Sequence, residues 1–581
     1  MSAHGPGIHN ADVAEAFEEM GDLLAIEGEN PFRIRAYRRA GQVVRSLPRE
    51  LAEMAQESEY DALPGIGADL AAKIAELLAT GRLKALEKLR RRVPPGVREL
   101  LGLPGLGPVR VRALMTGLHV RDREDLKRAL AAGALAKLRG FGPALKSRLE
   151  SALAAGPAAR EARRLPLSVA AQYAEPLRRY LGAIRGVTRV QIAGSYRRGR
   201  DTVGDLDVLL CAPAGVDPFG PLEHYRDLRE LSASGKTKAA GVLRNGLRVD
   251  LRVVPKESFG AALQYFTGSK DHGIRLRRRA QERGLKLSEY GLFRGDKRIA
   301  GEREEGVYRT LALEFVPPEL REDRGEIEAA ARHALPVLIE RTDLEGDLHV
   351  HTDASEGNGT LEEMVAAARA RKLSYIAIAD HAKHLGIVRG LDADRLARQG
   401  EAIDQLNDRV RDITVLKGAE VDVLEDGRLA LPDAVLAKLD VVLVAIHGHF
   451  GLSEAKQTAR VLRALDRPHV SILAHPSGRL LGERPPYPLD FERVLDAARA
   501  RGCALEVNGQ PLRLDLDDVH VKSARDRGAL LSIASDAHST SQLANLEAAV
   551  LQARRGWARR EDVLNTRPLD ELRALLRKPR G

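Results

Sequence analysis

At 581 residues, 44% hydrophobic and 30% charged, the chain is too long and too apolar to be disordered, and three or four domains are expected, each with its own core. Its two cysteines, Cys211 and Cys503, exclude a disulfide framework; no apolar run is long enough to cross a bilayer as a helix, and no basic start leads into an apolar signal core, so a cytoplasmic location is expected. The net charge of +10 is concentrated at the front, because residues 1–340 hold 57 basic and 45 acidic residues whereas 341–581 hold 35 and 37.

Residues 1–90 read as one small helical unit and 91–155 as a second. Three short segments repeat one design: Leu-Pro-Gly-Ile-Gly at 63–67, Leu-Pro-Gly-Leu-Gly at 103–107 and Leu-Arg-Gly-Phe-Gly at 138–142, each leading into a helical pattern. A Gly-x-Gly turn that opens a helix presents backbone N–H groups at the positive end of the helix dipole, which suits a phosphate without reading its base. One Pro-Gly would be only a helix stop, but the repetition is too regular for that. Gly65, Gly67, Gly105, Gly107, Gly140 and Gly142 are therefore candidate DNA-binding positions. Residues 101–200, with 20 basic against 6 acidic side chains, have the charge density of a chain that follows a phosphate backbone.

Residues 156–260 carry the strongest chemical signal. Asp205 and Asp207 open an apolar strand, and side chains at i and i+2 of a strand share a face, so the pair can hold two divalent ions side by side. Carboxylates suit Mg²⁺ or Mn²⁺, the ions of two-metal phosphoryl transfer. Alternation in the next such strand sets Asp250 on one face with Arg248 and Arg252. An Asp-x-Asp alone is a common surface pair, but the turn before this one, with Gly194, Ser195, Arg197, Arg198 and Gly199, is rich in N–H and guanidinium donors suited to a triphosphate.

Together, Gly194-Ser195, the Arg197-Arg198 pair, Gly204-Asp205-x-Asp207, Arg248-x-Asp250-x-Arg252 and Tyr265-Phe266-Thr267-Gly268-Ser269 resemble the polymerase β-like family X DNA polymerases. The resemblance implies an α/β nucleotidyltransferase palm in which Asp205 and Asp207 bind both metals and Asp250 binds the catalytic metal and helps activate the primer 3′-hydroxyl. Ser195 and Arg198 would hold the β and γ phosphates and Tyr265-Phe266 would line the sugar, with Gly194, Gly204, Gly268, Ser269 and Arg277 completing the nucleotide site. Gly273 stands where the family usually has an Asn in the minor groove, so base selection is expected to be looser or supplied by Arg275 or Arg277. The three glycine turns resemble the family's helix-hairpin-helix elements, and residues 1–90 its N-terminal domain, which in some relatives is a deoxyribose-phosphate lyase. Lys73 falls at the matching Schiff-base position, although Asp69 stands where relatives often have a second lysine, and an acid opposes the depressed pKa that such a nucleophile needs.

A thumb-like subdomain is expected over 261–318, with a dense basic face around 274–281, and a linker over 319–342 that contains a helix from 326 to 340. A direct hand-off of a DNA end across the chain would require that linker to let the flanking domains approach.

Ten of the sixteen histidines lie after residue 340, most of them at the ends of apolar strands. Seven such strands, mostly separated by helical patterns, predict a distorted (β/α) barrel with its ligands at one mouth over 343–575. Imidazole with carboxylate is a ligand set for Zn²⁺, Mn²⁺ or Fe²⁺. The order His-x-His, Asp-His, Gly-x-Glu, Ile-His, His-Pro, Asp-Ala-His resembles the polymerase and histidinol phosphatase (PHP) domain. By that resemblance His349, His351, Glu356, His381, Glu420, His447, His475, Asp536 and His538 would bind up to three ions that activate water against a phosphoester. Glu356 replaces the usual Asp, and Asp353 is an alternative ligand.

The reading is a multidomain enzyme that fills short gaps in DNA and trims or processes 3′ ends as an exonuclease or phosphoesterase, with AP endonuclease as a related activity. Its expected partners are gapped or primed duplex DNA and a dNTP, without a membrane, and it is expected to be monomeric and nucleoid-associated. The alternatives are a DNA-docked nuclease or phosphatase with minor polymerase activity, and a nucleotidyltransferase acting on RNA or a small molecule.

Overall fold

The computed structural model describes residues 8–45, 47, 50–54, 60, 63, 65–138, 140–154, 164–213, 215–382 and 390–576. Pro64 and Arg139 of the glycine turns and the expected boundary after 155 lie outside the described residues. The chain forms two compact units: one of residues up to 163 with 224–227 and 244–246, the other of the remainder.

The first unit is helical, from Asn10–Glu27 and Pro31–Arg45 to Pro108–Leu118, Arg123–Ala131 and Pro143–Ala154. A continuous apolar core running from Val13 to Leu153 spans both expected helical segments. His9, the N-cap of the first helix, is 2% exposed, with Nε2 3.1 Å from Asp227 and Nδ1 3.4 Å from Glu50. Burial disfavours its charge, but the two carboxylates outweigh burial and raise its pKa to about 9.

The second unit begins with a five-stranded palm sheet of β1 (Arg189–Ile192), β2 (Asp205–Cys211), β3 (Leu228–Ser234), β4 (Lys238–Leu243) and β5 (Arg248–Val254), in the order β1-β2-β5-β4-β3. Only the central β2–β5 pair is parallel. Helices Phe259–Thr267 and Lys270–Glu282 follow, then the short antiparallel strands β6 (Lys286–Ser288), β7 (Gly291–Arg294) and β8 (Lys297–Ala300) and helix Glu304–Thr310.

The expected linker is instead part of the thumb core. Leu320, Ile327, Ala329 and Ala330 are buried with Leu276, Val307, Leu311 and Val316. Arg321 is wholly buried, with its guanidinium 5.1 Å from the Tyr308 ring and 5.3 Å from the Phe315 ring. The helix expected over 326–340 stops at Ala331, because His333 takes a left-handed φ of 53° and Pro336 follows.

The barrel strands are β9 (Gly346–Val350), β10 (Tyr375–Ile378), β11 (Thr414–Asp422), β12 (Val441–Ala445), β13 (Ile472–Leu473), β14 (Ala504–Asn508) and β15 (Leu531–Ala534). All pair in parallel and in chain order, and a bridge from Val350 to Ala537 nearly closes the ring. Alternation sorts the side chains. Ala377, Leu416, Leu443 and Ile472 fill the interior above helix Leu569–Leu576, whereas Ile376, Val415, Val444 and Leu505 pack outward against the helices. No helix among the described residues is long and apolar enough to cross a membrane.

Candidate active sites

The first site is built by strand pairing. Parallel register sets Asp207 beside Asp250 and Asp205 beside Arg248, while Leu206, Val208, Val249 and Leu251 are buried on the other face. The apolar alternation therefore anchors both strands and aims the three carboxylates one way. Arg248 Nη2 lies 3.7 Å from Asp205 Oδ2. Burial first, then the charges of Asp205 and Asp250, push Asp207 up to about 6 against the pull of Arg252 and Arg198. Carboxylates crowded in this way call for a divalent cation.

The phosphate turn sits directly on this cluster. Gly194 has φ +59°, and a Cβ there would lie 2.3 Å from Asp207 Oδ2, so only glycine lets the turn approach so closely. The hydroxyl oxygen of Ser195 is shielded and has no hydrogen-bond partner, as expected of a group awaiting a phosphate oxygen. Arg198 is held by Glu322 at 3.0 Å and by the Thr267 carbonyl at 2.5 Å. Arg197 makes a bidentate pair with Glu304 at 2.8 Å, and Glu304 also accepts from Arg321 at 2.6 Å.

A cleft of about 910 Å³ opens between this turn and the start of the thumb. Of the residues expected at the nucleotide, Gly194, Ser195, Arg198, Tyr265, Phe266, Gly268, Ser269 and Arg277 line it, together with Asp205 and Asp207. Gly204 does not; it is buried under Arg164, whose Nη1 an added Cβ would meet at 3.1 Å. Tyr265 and Phe266 meet edge to face at 5.0 Å, with Arg277 over the Tyr265 ring at 5.8 Å and Arg252 over Phe266 at 4.8 Å. Arg275 is turned away toward Glu328 and Asp323, so of these two arginines Arg277 is the one that lines the cleft with Gly273. Arg164, Arg200, Gln264 and Lys270 also line it, and sequence reasoning missed them because no motif spacing marks them.

In the first unit the three glycine turns share a geometry. Gly65, Gly105 and Gly140 have φ of 70°, 82° and 89°, and Ile66, Leu106 and Phe141 are buried. Gly67 and Gly107 are N-caps of the following helices, and Gly142 immediately precedes Pro143–Ala154. A Cβ on Gly67, Gly107 or Gly142 would meet nothing within 4 Å, so the helix-opening backbone faces open space. Lys73 is ion-paired with Asp69 one helical turn before it.

The second site gathers all nine expected ligands at one mouth of the barrel. Glu420 is its centre, with His381 at 2.9 Å, His475 at 2.8 Å, His447 at 3.3 Å, His349 at 3.5 Å and His351 at 3.7 Å. Asp536 lies 3.3 Å from His351. Glu356 bridges His381 at 2.9 Å and His538 at 3.2 Å, whereas Asp353 is exposed, so the longer Glu356 reaches the cluster without help. Ligand atoms cluster in three overlapping groups: His351, His381 and His538; His349, His351 and Asp536; and His381, Glu420 and His447. His349 Nε2 and both ring nitrogens of His351 are buried without hydrogen-bond partners, which leaves each imidazole a nitrogen to offer a metal. Burial, then His538, His381 and His349, lower His351 to about 4, keeping it neutral near pH 7.

Residues outside the motifs orient these ligands. Glu506 accepts from His349 Nδ1 and from the His475 amide, both at 2.6 Å, and Asp422 meets His447 Nδ1 at 2.7 Å. Asp380 accepts from Thr352, Ser355 and Gln399 and so braces the turn that carries Glu356.

Family models match along the chain: a helix-hairpin-helix domain at 8–83, a SAM-like helix-hairpin-helix tandem at 97–153, the DNA polymerase beta palm at 164–257, the DNA polymerase beta thumb at 262–322 and the PHP domain at 347–485. The chain is 36% identical over 577 residues to the DNA polymerase/3′-5′ exonuclease PolX of Bacillus subtilis (strain 168), covering 98% of this chain and 100% of that protein. It is also 34% identical over 168 residues to a probable phosphatase of Syntrophotalea carbinolica, covering 28% of this chain and 65% of that one. A probable phosphatase of Thermoanaerobacter sp. (strain X514) is 29% identical over 231 residues, 38% of this chain and 89% of that one.

Proposed function

The chain belongs to the family X DNA polymerases that carry a PHP domain, and from that membership we propose that it fills short gaps in DNA by two-metal nucleotidyl transfer and processes 3′ ends with a 3′-5′ exonuclease or phosphoesterase. The observation that carries the polymerase reading is the shared register of Asp205, Asp207 and Asp250 beneath a turn whose Ser195 hydroxyl is unpartnered. Ser195 and Arg198 hold the β and γ phosphates of a dNTP, Tyr265 and Phe266 flank its sugar, and Asp250 takes the proton of the primer 3′-hydroxyl. Asp205, Asp207 and Asp250 hold Mg²⁺ or Mn²⁺, which when bound stabilises charge on the attacking and leaving oxygens. The exposed glycine turns grip duplex backbone without reading sequence, and the chain works as a monomer on gapped DNA.

At the barrel mouth His349, His351, Glu356, His381, Glu420, His447, His475, Asp536 and His538 hold up to three Mn²⁺, Zn²⁺ or Fe²⁺ ions, which when bound activate water against a terminal phosphoester. Glu506 and Asp422 fix the tautomers of His349 and His447 so that Nε2 faces the ions.

Primer extension on a one-nucleotide-gapped duplex by the full chain tests the reading, with dNTP against rNTP and Asp205→Ala and His349→Ala as variants. Asp205→Ala is expected to lose extension and keep 3′ digestion, and His349→Ala the reverse. Digestion without extension by the wild type would instead establish a DNA-docked nuclease.

A further inference from the structure

The phosphate turn does not stand on the palm alone. Glu322, from the segment that joins the thumb to the barrel, accepts from Arg198 Nε at 3.0 Å and lies 3.6 Å from Arg200. On its far side is Arg555, the last residue of barrel helix Asn545–Arg555 and only 2% exposed. Arg555 donates from Nη1 to the backbone oxygen of Arg198 at 2.5 Å and from Nη2 to Glu322 at 3.3 Å and to Asp518. Arg324 meets the same Asp518 at 3.0 Å. One turn back along the helix, Leu551 closes on Gly199, where an added Cβ would lie 2.8 Å from both its methyls. Arg479, on the loop that follows His475, secures the next residues by donating to Asp201 at 3.0 Å.

Charge and geometry act together here. Within this cluster the four guanidinium groups of Arg198, Arg200, Arg324 and Arg555 pair with the two carboxylates of Glu322 and Asp518, so positive charge is in excess. Were Glu322 to serve Arg198 alone, it would cancel the charge that an incoming triphosphate needs. Because Arg555 takes a share of the same carboxylate oxygen, Arg198 keeps its attraction for an anion, and burial strengthens that attraction. The bond from Arg555 to the Arg198 carbonyl also fixes the C-terminal end of the short helix that carries Ser195.

We infer that Arg555, acting through Glu322, is a positioning residue for the nucleotide triphosphate, so that the barrel domain sets the affinity of the polymerase site for dNTP. The inference rests on the polymerase reading of the Asp205 site. Steady-state gap filling by the full-length chain tests it with wild type, Arg555→Met and Arg555→Lys, each assayed in parallel for 3′ digestion. In Arg555→Met the dNTP KM should rise about 10- to 100-fold, the worth of a lost charged hydrogen bond, with kcat and 3′ digestion little changed. Arg555→Lys keeps the charge but not the two-pronged donor, and its KM should fall in between. An unchanged KM, or equal losses of kcat and digestion at constant KM, would overturn the inference. If Arg555→Met lost both activities through misfolding, Arg555→Lys would decide, a wild-type KM overturning the inference and a raised one supporting it. Absence of extension by wild type would remove the polymerase reading and this inference with it, whereas extension with unchanged KM would remove the inference alone.

Discussion

Substituting Gly194 separates folding from chemistry at the polymerase site. A methyl at this position would sit 2.3 Å from Asp207 Oδ2, where ordinary contact begins at 3.4 Å, so about 1 Å of movement is forced. The carboxylate is the mobile partner and can rotate away cheaply, and the left-handed φ of +59° costs alanine only about 1–2 kcal/mol. Stability should therefore change modestly. Function should not, because Asp207 must stay on the face it shares with Asp205 and Asp250, and a displacement of about 1 Å among reacting groups costs about 100-fold in rate. Gly194→Ala should thus reduce single-turnover gap filling by about two orders of magnitude, with 3′ digestion intact and the thermal midpoint lowered by only a few degrees. Gly273→Ala, where an added Cβ meets nothing within 4 Å, is the control and should fill gaps at the wild-type rate. A Gly194→Ala enzyme as fast as wild type would show that the turn does not need its close seat on Asp207.

The open space at Gly273 leads to a prediction on fidelity: Gly273→Asn should be accommodated without loss of stability and should lower misinsertion, and unaltered discrimination in single-nucleotide kinetics would assign base selection elsewhere, with Arg277 the next variant to measure. The His9 cluster predicts an alkaline limit. A folded pKa near 9 against 6.5 unfolded contributes at most about 3 kcal/mol, fully present below pH 6.5 and lost as pH rises through 9. Thermal melts from pH 6 to 10 should show this decline in wild type and a flatter profile in His9→Asn; parallel profiles would count against it. The Asp69 carboxylate on Lys73 opposes amine nucleophilicity, so borohydride trapping on a 5′-incised abasic duplex should be weak and should increase in Asp69→Ala. No trapping by either protein would leave Lys73 as a 5′-phosphate contact.

The parts of both sites that were legible in the sequence are those whose geometry is local. Asp205 and Asp207 share a face because strands alternate, and the nine residues expected as ligands converge because each sits at the end of a parallel strand or on the turn that follows. The Lys73–Asp69 pair was equally visible at one helical turn. What escaped detection depends on distant chain. Glu506 is 157 residues from His349, and Arg555 is 357 from Arg198, so no spacing could mark either pair. Composition favours a helix over all of 326–340, but a left-handed His333 and Pro336 end it at Ala331. The same stretch looked like a linker because it is polar, yet its Arg321, Glu322 and Glu326 are inward-facing partners of buried groups.

That buried segment bears on how the two activities share a substrate. With Arg321 enclosed by Tyr308 and Phe315, and with Ile339 tied to Ala558 at 3.0 Å, the connection has no slack through which the barrel could swing toward the palm. The 3′ terminus therefore has to make the journey, by melting off its template or by release and rebinding. In a pulse with unlabelled trap DNA, interrupted trimming and extension of the same labelled strand would assign release and rebinding, and ends that pass between the sites undiluted by the trap would assign melting off the template.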